Sequence, residues 1–237
     1  PYIHFGYFYN YYLVTTMKRT TILTIILMSA MTIQAQLNFS RNGDIPVLKI
    51  NSDTLANPWA GGFNSVQFSE VDLNLDGIMD IVVLDRTGDR LSTFINDGTP
   101  GQSNYKHDPQ YLSAMPELNH WALFRDFNCD GKMDIFTYYS GGVRIYKNTS
   151  VSSLSFALED SLVYSNFDPD SITPNMIALF VSGSDLPAID DIDGDGDLDI
   201  LTFDVPGSRV VFHTNMAMDY HGVCDRTTFE VTNKCWG

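Results

Sequence analysis

One nine-residue pattern, D-x-[DN]-x-D-G-x-x-D, occurs three times in this chain, and each copy runs directly into an apolar stretch. The copies are VDLNLDGIMDIVVLD at 71–85, RDFNCDGKMDIFTYY at 125–139 and DDIDGDGDLDILTFD at 190–204, with the loops themselves at 72–80, 126–134 and 191–199. Repetition in this detail constrains the fold more than composition does. Each repeat must be one supersecondary unit that buries its apolar face against a neighbour. The likeness continues past the loops. The runs IVVL, IFTY and ILTF each meet a turn (DRTGD at 85–89, SGG at 140–142, DVPGS at 204–208), and the strand-like runs that follow end in Asn96, Asn148 and Asn215. A further apolar segment precedes each loop: SVQFSEV, WALFR and LPAID. Short β-rich runs between Gly, Pro and Asp turns predict antiparallel hairpins, and no amphipathic helix is expected from residue 36 onward.

Alternate residues at positions 1, 3 and 5 of such a loop can turn oxygen-bearing side chains toward one point. Glycine at position 6 permits the sharp turn, position 7 can offer its carbonyl, and position 9 returns a carboxylate. Hard oxygen donors of this kind suit Ca²⁺ rather than zinc or copper. The expected ligands are Asp72, Asn74, Asp76, Ile78 (carbonyl) and Asp80 in the first loop. They are Asp126, Asn128, Asp130, Lys132 (carbonyl) and Asp134 in the second, and Asp191, Asp193, Asp195, Asp197 (carbonyl) and Asp199 in the third, with Asp190 outside. Up to three Ca²⁺ ions follow, bound tightest by the third loop, where Asp193 stands in place of asparagine. An EF-hand needs a bidentate Glu at position 12 and flanking helices. Here position 12 is Val83, Thr137 or Thr202, each inside a β-like run, so a calcium-sensing helix pair is excluded.

These three units resemble FG-GAP (VCBS) repeats, the blades of integrin-α-like β-propellers, over roughly residues 60–216. The chain as a whole is similar to secreted FG-GAP proteins of the Bacteroidetes type. The resemblance implies an all-β fold, a partial β-propeller of about three antiparallel blades. Its Phe-Gly and Gly-Ala-Pro signatures are weak here. Three blades are also too few to close a ring, since propellers use about 4–8. No fourth loop and no capping strand is expected after Asn215, so the chain is expected to be a truncated product of a longer gene. Its N-terminal part, before residue 60, is expected to supply at most an outer strand.

Residues 17–35, MKRTTILTIILMSAMTIQA, have the order of a secretory signal peptide: Lys18 and Arg19, an apolar run, then Ala35. Residues 1–16 read as sequence translated upstream of Met17, which leaves 36–237 as the repeat region. The expected location is therefore secreted or cell-surface, with no membrane insertion after cleavage. Of the three cysteines, Cys224 and Cys235 are close enough in sequence to close a local loop, leaving Cys129 free.

The formal net charge of −15 argues against nucleic acid or anionic membrane as a partner. No GxSxG, HExxH, Walker or GxGxxG pattern stands in a suitable context, and no catalytic residue is expected. His120 and His213 are read as structural. Trp59, Trp121, Trp236, Tyr138 and Tyr139 suit stacking on a sugar, but at their repeat positions they read as core. The functional expectation is a calcium-dependent extracellular adhesion, binding or scaffold module whose partner is an unidentified protein or glycan. The alternative is a non-catalytic propeller attached to a larger secreted carbohydrate-active or other enzyme.

Overall fold

The computed structural model describes residues 45–50, 53–102 and 104–237. The segments 1–16 and 17–35, read above as upstream sequence and signal peptide, lie outside the described residues. The chain divides into Pro1–Ile45 and Pro46–Gly237, and the architecture below is that of the second unit.

It is all-β, in three open antiparallel sheets or nearly so. The first sheet holds β1 (Val66–Val71), β2 (Asp80–Asp85), β3 (Arg90–Asn96) and β4 (Tyr105–His107) in sequence order. The second repeats that plan with β5 (Ala122–Arg125), β6 (Asp134–Tyr139), β7 (Gly142–Asn148) and β8 (Phe156–Asp160). Each acidic loop joins the first two strands of its sheet, and each Gly-bearing turn joins the second and third. The β6–β7 turn has both central residues, Ser140 and Gly141, at positive φ, the backbone that two-residue hairpins between twisted strands require.

The third sheet departs from the plan. It contains β9 (Tyr164–Asn166), β10 (Met176–Ala178), β11 (Ala188–Asp190), β12 (Asp199–Phe203), β13 (Val210–Asn215) and β14 (Phe229–Asn233), in the order β10-β9-β14-β13-β12-β11. The β14–β9 pairing is parallel and the rest are antiparallel. A capping strand after Asn215 thus exists, contrary to the sequence expectation. It is delayed by an excursion carrying a five-residue helix, α1 (Ala217–His221), whose end is set by Gly222 in the left-handed region. The alternation in FEVTN, Phe229 and Val231 buried and Thr232 exposed, is that of a strand with one covered face.

Period-two alternation explains how the sheets stack. Val82 and Leu84 of β2 turn to the second sheet and meet Ala122, Phe124 and Ile135. The opposite face of that sheet, Phe136, Val143 and Ile145, meets Ile189, Ile200 and Phe229 of the third. The third and fifth residues of β2 and β6 thus face the following sheet, and the second residue of β6 and of β12 faces the preceding one, so two cores form from one pattern. Strand β5 packs against β1 on one side and β11 on the other. Polar ties cross the same seams: Ala122 N–H donates to Gln67 Oε1 at 3.3 Å, and Arg125 Nε to Ile189 O at 3.2 Å. At the turn end, Arg86 donates from Nε to His120 O at 2.7 Å and from Nη2 to Ser184 O at 2.8 Å, joining turns of all three repeats.

Of the aromatics considered for sugar stacking, Trp121 is fully buried and Tyr138 packs against the same core, as the sequence suggested. Trp59, Tyr139 and Trp236 are partly exposed instead. Tyr139 carries the Arg144 guanidinium over its ring, a contact available because both sit at the solvent end of the β6–β7 hairpin. His213 is buried, with Nδ1 at 3.0 Å from Ser165 Oγ. Among the described residues no helix is long and apolar enough to cross a membrane.

Candidate metal centres

All three loops share a backbone frame. Position 4 is left-handed in each (Leu75, Cys129 and Gly194), as is the glycine at position 6 (Gly77, Gly131 and Gly196). Two such residues so close together fold the backbone back on itself and point its N–H groups inward. In the first loop Asp72 accepts from Asp76 N–H at 3.1 Å and Gly77 N–H at 2.9 Å. Asp126 does the same for Asp130 and Gly131 at 3.2 and 2.8 Å. Position 5 accepts from the N–H of position 7 throughout: Asp76 from Ile78, Asp130 from Lys132 and Asp195 from Asp197, at 2.8, 2.9 and 3.0 Å.

The position 9 carboxylates, Asp80, Asp134 and Asp199, are completely buried. One oxygen of each accepts an N–H from within its loop (Leu73, Phe127 or Ile192) at 2.9–3.1 Å. The other accepts the N–H of the asparagine closing the repeat: Asn96, Asn148 or Asn215. That asparagine's amide in turn donates to Met79 O, Met133 O or Arg226 O. Position 9 therefore staples its loop to the third strand of its own repeat (β3, β7 or β13), and the recurring asparagine noted in the sequence is its partner. Burial raises the pKa of Asp80, and pushes Asp134 and Asp199 up to about 6 against the opposing pull of their backbone donors.

The loops differ at positions 1, 3 and 5. In the first two, the position 3 amide turns to its neighbour: Asn74 Nδ2 donates to Asp76 Oδ2 at 2.8 Å, and Asn128 Nδ2 to Asp130 Oδ2 at 3.4 Å. These donor sets are closed among themselves. In the third loop no amide is available. Oxygens of Asp191, Asp193 and Asp195 lie within 4.8 Å of one another, the one group of three acidic ligands so placed among the described residues. Two side-chain oxygens there, Asp195 Oδ2 and Asp197 Oδ1, are buried without a hydrogen-bond partner. Buried acceptors in that state are costly unless a cation or donor completes them. The residues of the third loop thus fit a hard divalent ion. Burial raises the pKa of Asp193, helped by the charge of Asp195.

Two features escaped the sequence. Asp197, expected to offer its carbonyl, is 1% exposed and accepts Met218 N–H on Oδ2 at 2.9 Å. The disulfide joins Cys129 to Cys224, leaving Cys235 free and exposed, so the expected Cys224–Cys235 bridge is corrected. Cys129 occupies position 4 of the second loop, where the left-handed backbone directs its sulfur to the third loop, 3.7 Å from Gly196 O. The excursion after β13 brings Cys224 to the same place. Proximity in space overrode proximity in sequence, and only the long gap between Asn215 and Phe229 hinted at it.

None of the curated proteins and none of the solved structures compared with the chain matches it. A family model does: residues 72–137, from the first aspartate of the first loop into β6, match the FG-GAP-like repeat, and that match supports the reading of the chain as an FG-GAP repeat protein.

Proposed function

We propose that the chain is a calcium-binding repeat module of β-propeller type that works outside the cell as an adhesion, binding or scaffold piece, without catalytic residues. The observation that carries this reading is the third loop, where Asp191, Asp193 and Asp195 converge within 4.8 Å beside two buried, unpartnered carboxylate oxygens. A Ca²⁺ ion held there would offset the mutual repulsion of these carboxylates and fix the link between β11 and β12. The first and second loops share the backbone frame and take ions more weakly, because their amides already engage the position 5 carboxylate. The extracellular setting rests on the order of residues 17–35. The partner is an extracellular protein or glycan.

The test is a melting curve in chelator, in millimolar Ca²⁺ and in millimolar Mg²⁺. Extracellular calcium modules bind with Kd of about 10⁻⁴–10⁻³ M, and an ion bound only by the folded state stabilises it by mass action. The expected result is a lower Tm in chelator, restored by Ca²⁺ and poorly by Mg²⁺. Asp193→Asn, which gives the third loop the residue of the other two, is expected to weaken its site. A Tm indifferent to chelator and to Ca²⁺ would refute the reading.

A further inference from the structure

The turn that opens the third strand of a repeat meets the connection to the next sheet, and the first two repeats make that meeting differently. In the second repeat main chain bonds to main chain: Val181 N–H donates to Gly141 O at 3.0 Å, and Gly142 pairs with Phe180 in an isolated bridge. An extended segment of the chain itself fills the place beside the turn. In the first repeat the connection is shorter, 108–121 against 161–187. Among the described residues it bonds to the turn only through side chains: Arg86 Nε donates to His120 O, and Asp89 Oδ1 accepts His120 N–H at 2.6 Å. Between turn and connection lies an open groove of about 580 Å³, the size of a ligand site.

The floor of the groove is aliphatic, with Leu91 from β3 and Leu112, Met115 and Pro116 from the connection. Two exposed acids also line it, Asp89 from the turn and Glu117 from the connection. Among the described residues neither pairs with a basic side chain. The nearby cations are engaged elsewhere. Arg86 gives Nη2 to Ser184 O at 2.8 Å. Arg90 gives Nη2 to Gly61 O and Gly62 O at 2.9 and 3.1 Å and lies over the Phe63 ring. An aliphatic floor with two unpaired carboxylates is the complement of a lysine or arginine side chain, whose stem lies on apolar surface while its head meets a carboxylate. The net charge of −15 draws the same class of partner from a distance.

From this placement we propose that the groove of the first repeat receives an extended segment of a partner protein bearing a lysine or arginine. That segment takes the place that residues 179–181 of the chain itself take in the second repeat. The proposal rests on the reading of the chain as a binding module and names the chemistry of its partner at one site. It is independent of calcium, because no residue of the groove belongs to an acidic loop.

The experiment is an amide NMR titration of the ¹⁵N-labelled full chain, in millimolar CaCl₂ and again in chelator. The probes are blocked alanine pentapeptides with lysine, arginine, norleucine or glutamate at the centre. The lysine and arginine peptides are expected to shift the amides of 88–91 and 112–119 saturably in both conditions, and the norleucine and glutamate peptides are not. Asp89→Asn with Glu117→Gln keeps an acceptor for His120 N–H, and is expected to weaken the basic peptides about fivefold or more with Tm unchanged. Should the double variant lose its fold, Glu117→Gln alone and a titration in about 0.5 M NaCl are each expected to weaken binding. Equal shifts with norleucine, shifts confined to the acidic loops, or a variant that binds as wild type does would each overturn the proposal. Absence of shifts at the groove in a chain whose Tm follows Ca²⁺ overturns the groove alone. Shifts at the groove in a chain whose Tm ignores Ca²⁺ support it and fail the calcium reading instead.

Discussion

The backbone N–H of Asn148 donates to the wholly buried carboxylate of Asp134 at 2.6 Å, while the asparagine side chain donates to Met133 O and accepts from Ser150 N–H. One residue thus secures both ends of a loop and the start of the next segment. Asn148→Ala keeps the main-chain bond and loses the two side-chain bonds, leaving buried partners unmet. The expected cost is about 1–3 kcal/mol, read as a lower midpoint in urea denaturation with the slope unchanged. A variant equal to wild type would show that the asparagine only marks the strand end.

The Cys129–Cys224 bridge spans 95 residues. In the chain-entropy account a cross-link over a loop of about that length contributes roughly 4–5 kcal/mol. Cys224→Ser is expected to lower Tm by many degrees, whereas Cys235→Ser, at an exposed free thiol, leaves it in place. Alkylation of the native protein before digestion labels Cys235 alone, and peptide mass mapping checks the pairing.

His213 stays neutral inside the fold, because burial pushes its pKa down to about 4 from an ordinary 6.5. The unfolded chain takes up a proton that the folded one refuses. The histidine's contribution to stability is therefore complete above pH 6.5 and is lost progressively as the pH falls from there to about 4, by up to ~3 kcal/mol at ~1.4 kcal/mol per pH unit. The buried carboxylates act the other way, gaining protons in the folded state below about pH 6, so the comparison must be differential. Denaturant midpoints from pH 7 to 4.5 are expected to fall more steeply for wild type than for His213→Gln. Parallel profiles would contradict the neutral assignment.

Gly194 holds φ at +86° with open space where a side chain would go, while Gly61 has equally open space and no positive φ. Gly194→Ala therefore costs conformational energy alone, about 1–2 kcal/mol. Gly61→Ala is expected to be neutral or to stabilise by up to about 1 kcal/mol. Thermal unfolding of the two variants in chelator separates backbone strain from any effect on ion binding.

Much of this was legible in the sequence, and the reasons differ by element. The loops were readable because left-handed turns and inward oxygens demand particular residues at fixed spacing. The strand before each loop and the two after it (β1–β3, β5–β7 and β11–β13) were readable because each loop is tied to a strong apolar run. The outer strands β4 and β8 carry little of that signal: Tyr105–His107 is three residues long, and Phe156–Asp160 is mostly exposed. The pairing of β9 with β14 depends on segments far apart in sequence, so no local pattern encodes it. Asp80, Asp134 and Asp199 were visible as acidic positions. Their burial against Asn96, Asn148 and Asn215 was not, because the loop pattern alone does not say which strand closes over it.

The third sheet also imposes an order of events. Its latest strand in sequence, β14, is interior, lying between β13 and β9. The first two sheets pair only strands that follow one another, so each can close as soon as its own residues leave the ribosome. Strands β9 and β10 must instead wait, with one edge unsatisfied, until Phe229–Asn233 has been made. Non-local closure of this kind is slow relative to hairpin formation and exposes strand edges meanwhile. Synthesis of this chain therefore carries a built-in interval in which its third sheet is the segment most in need of protection from other unfolded chains.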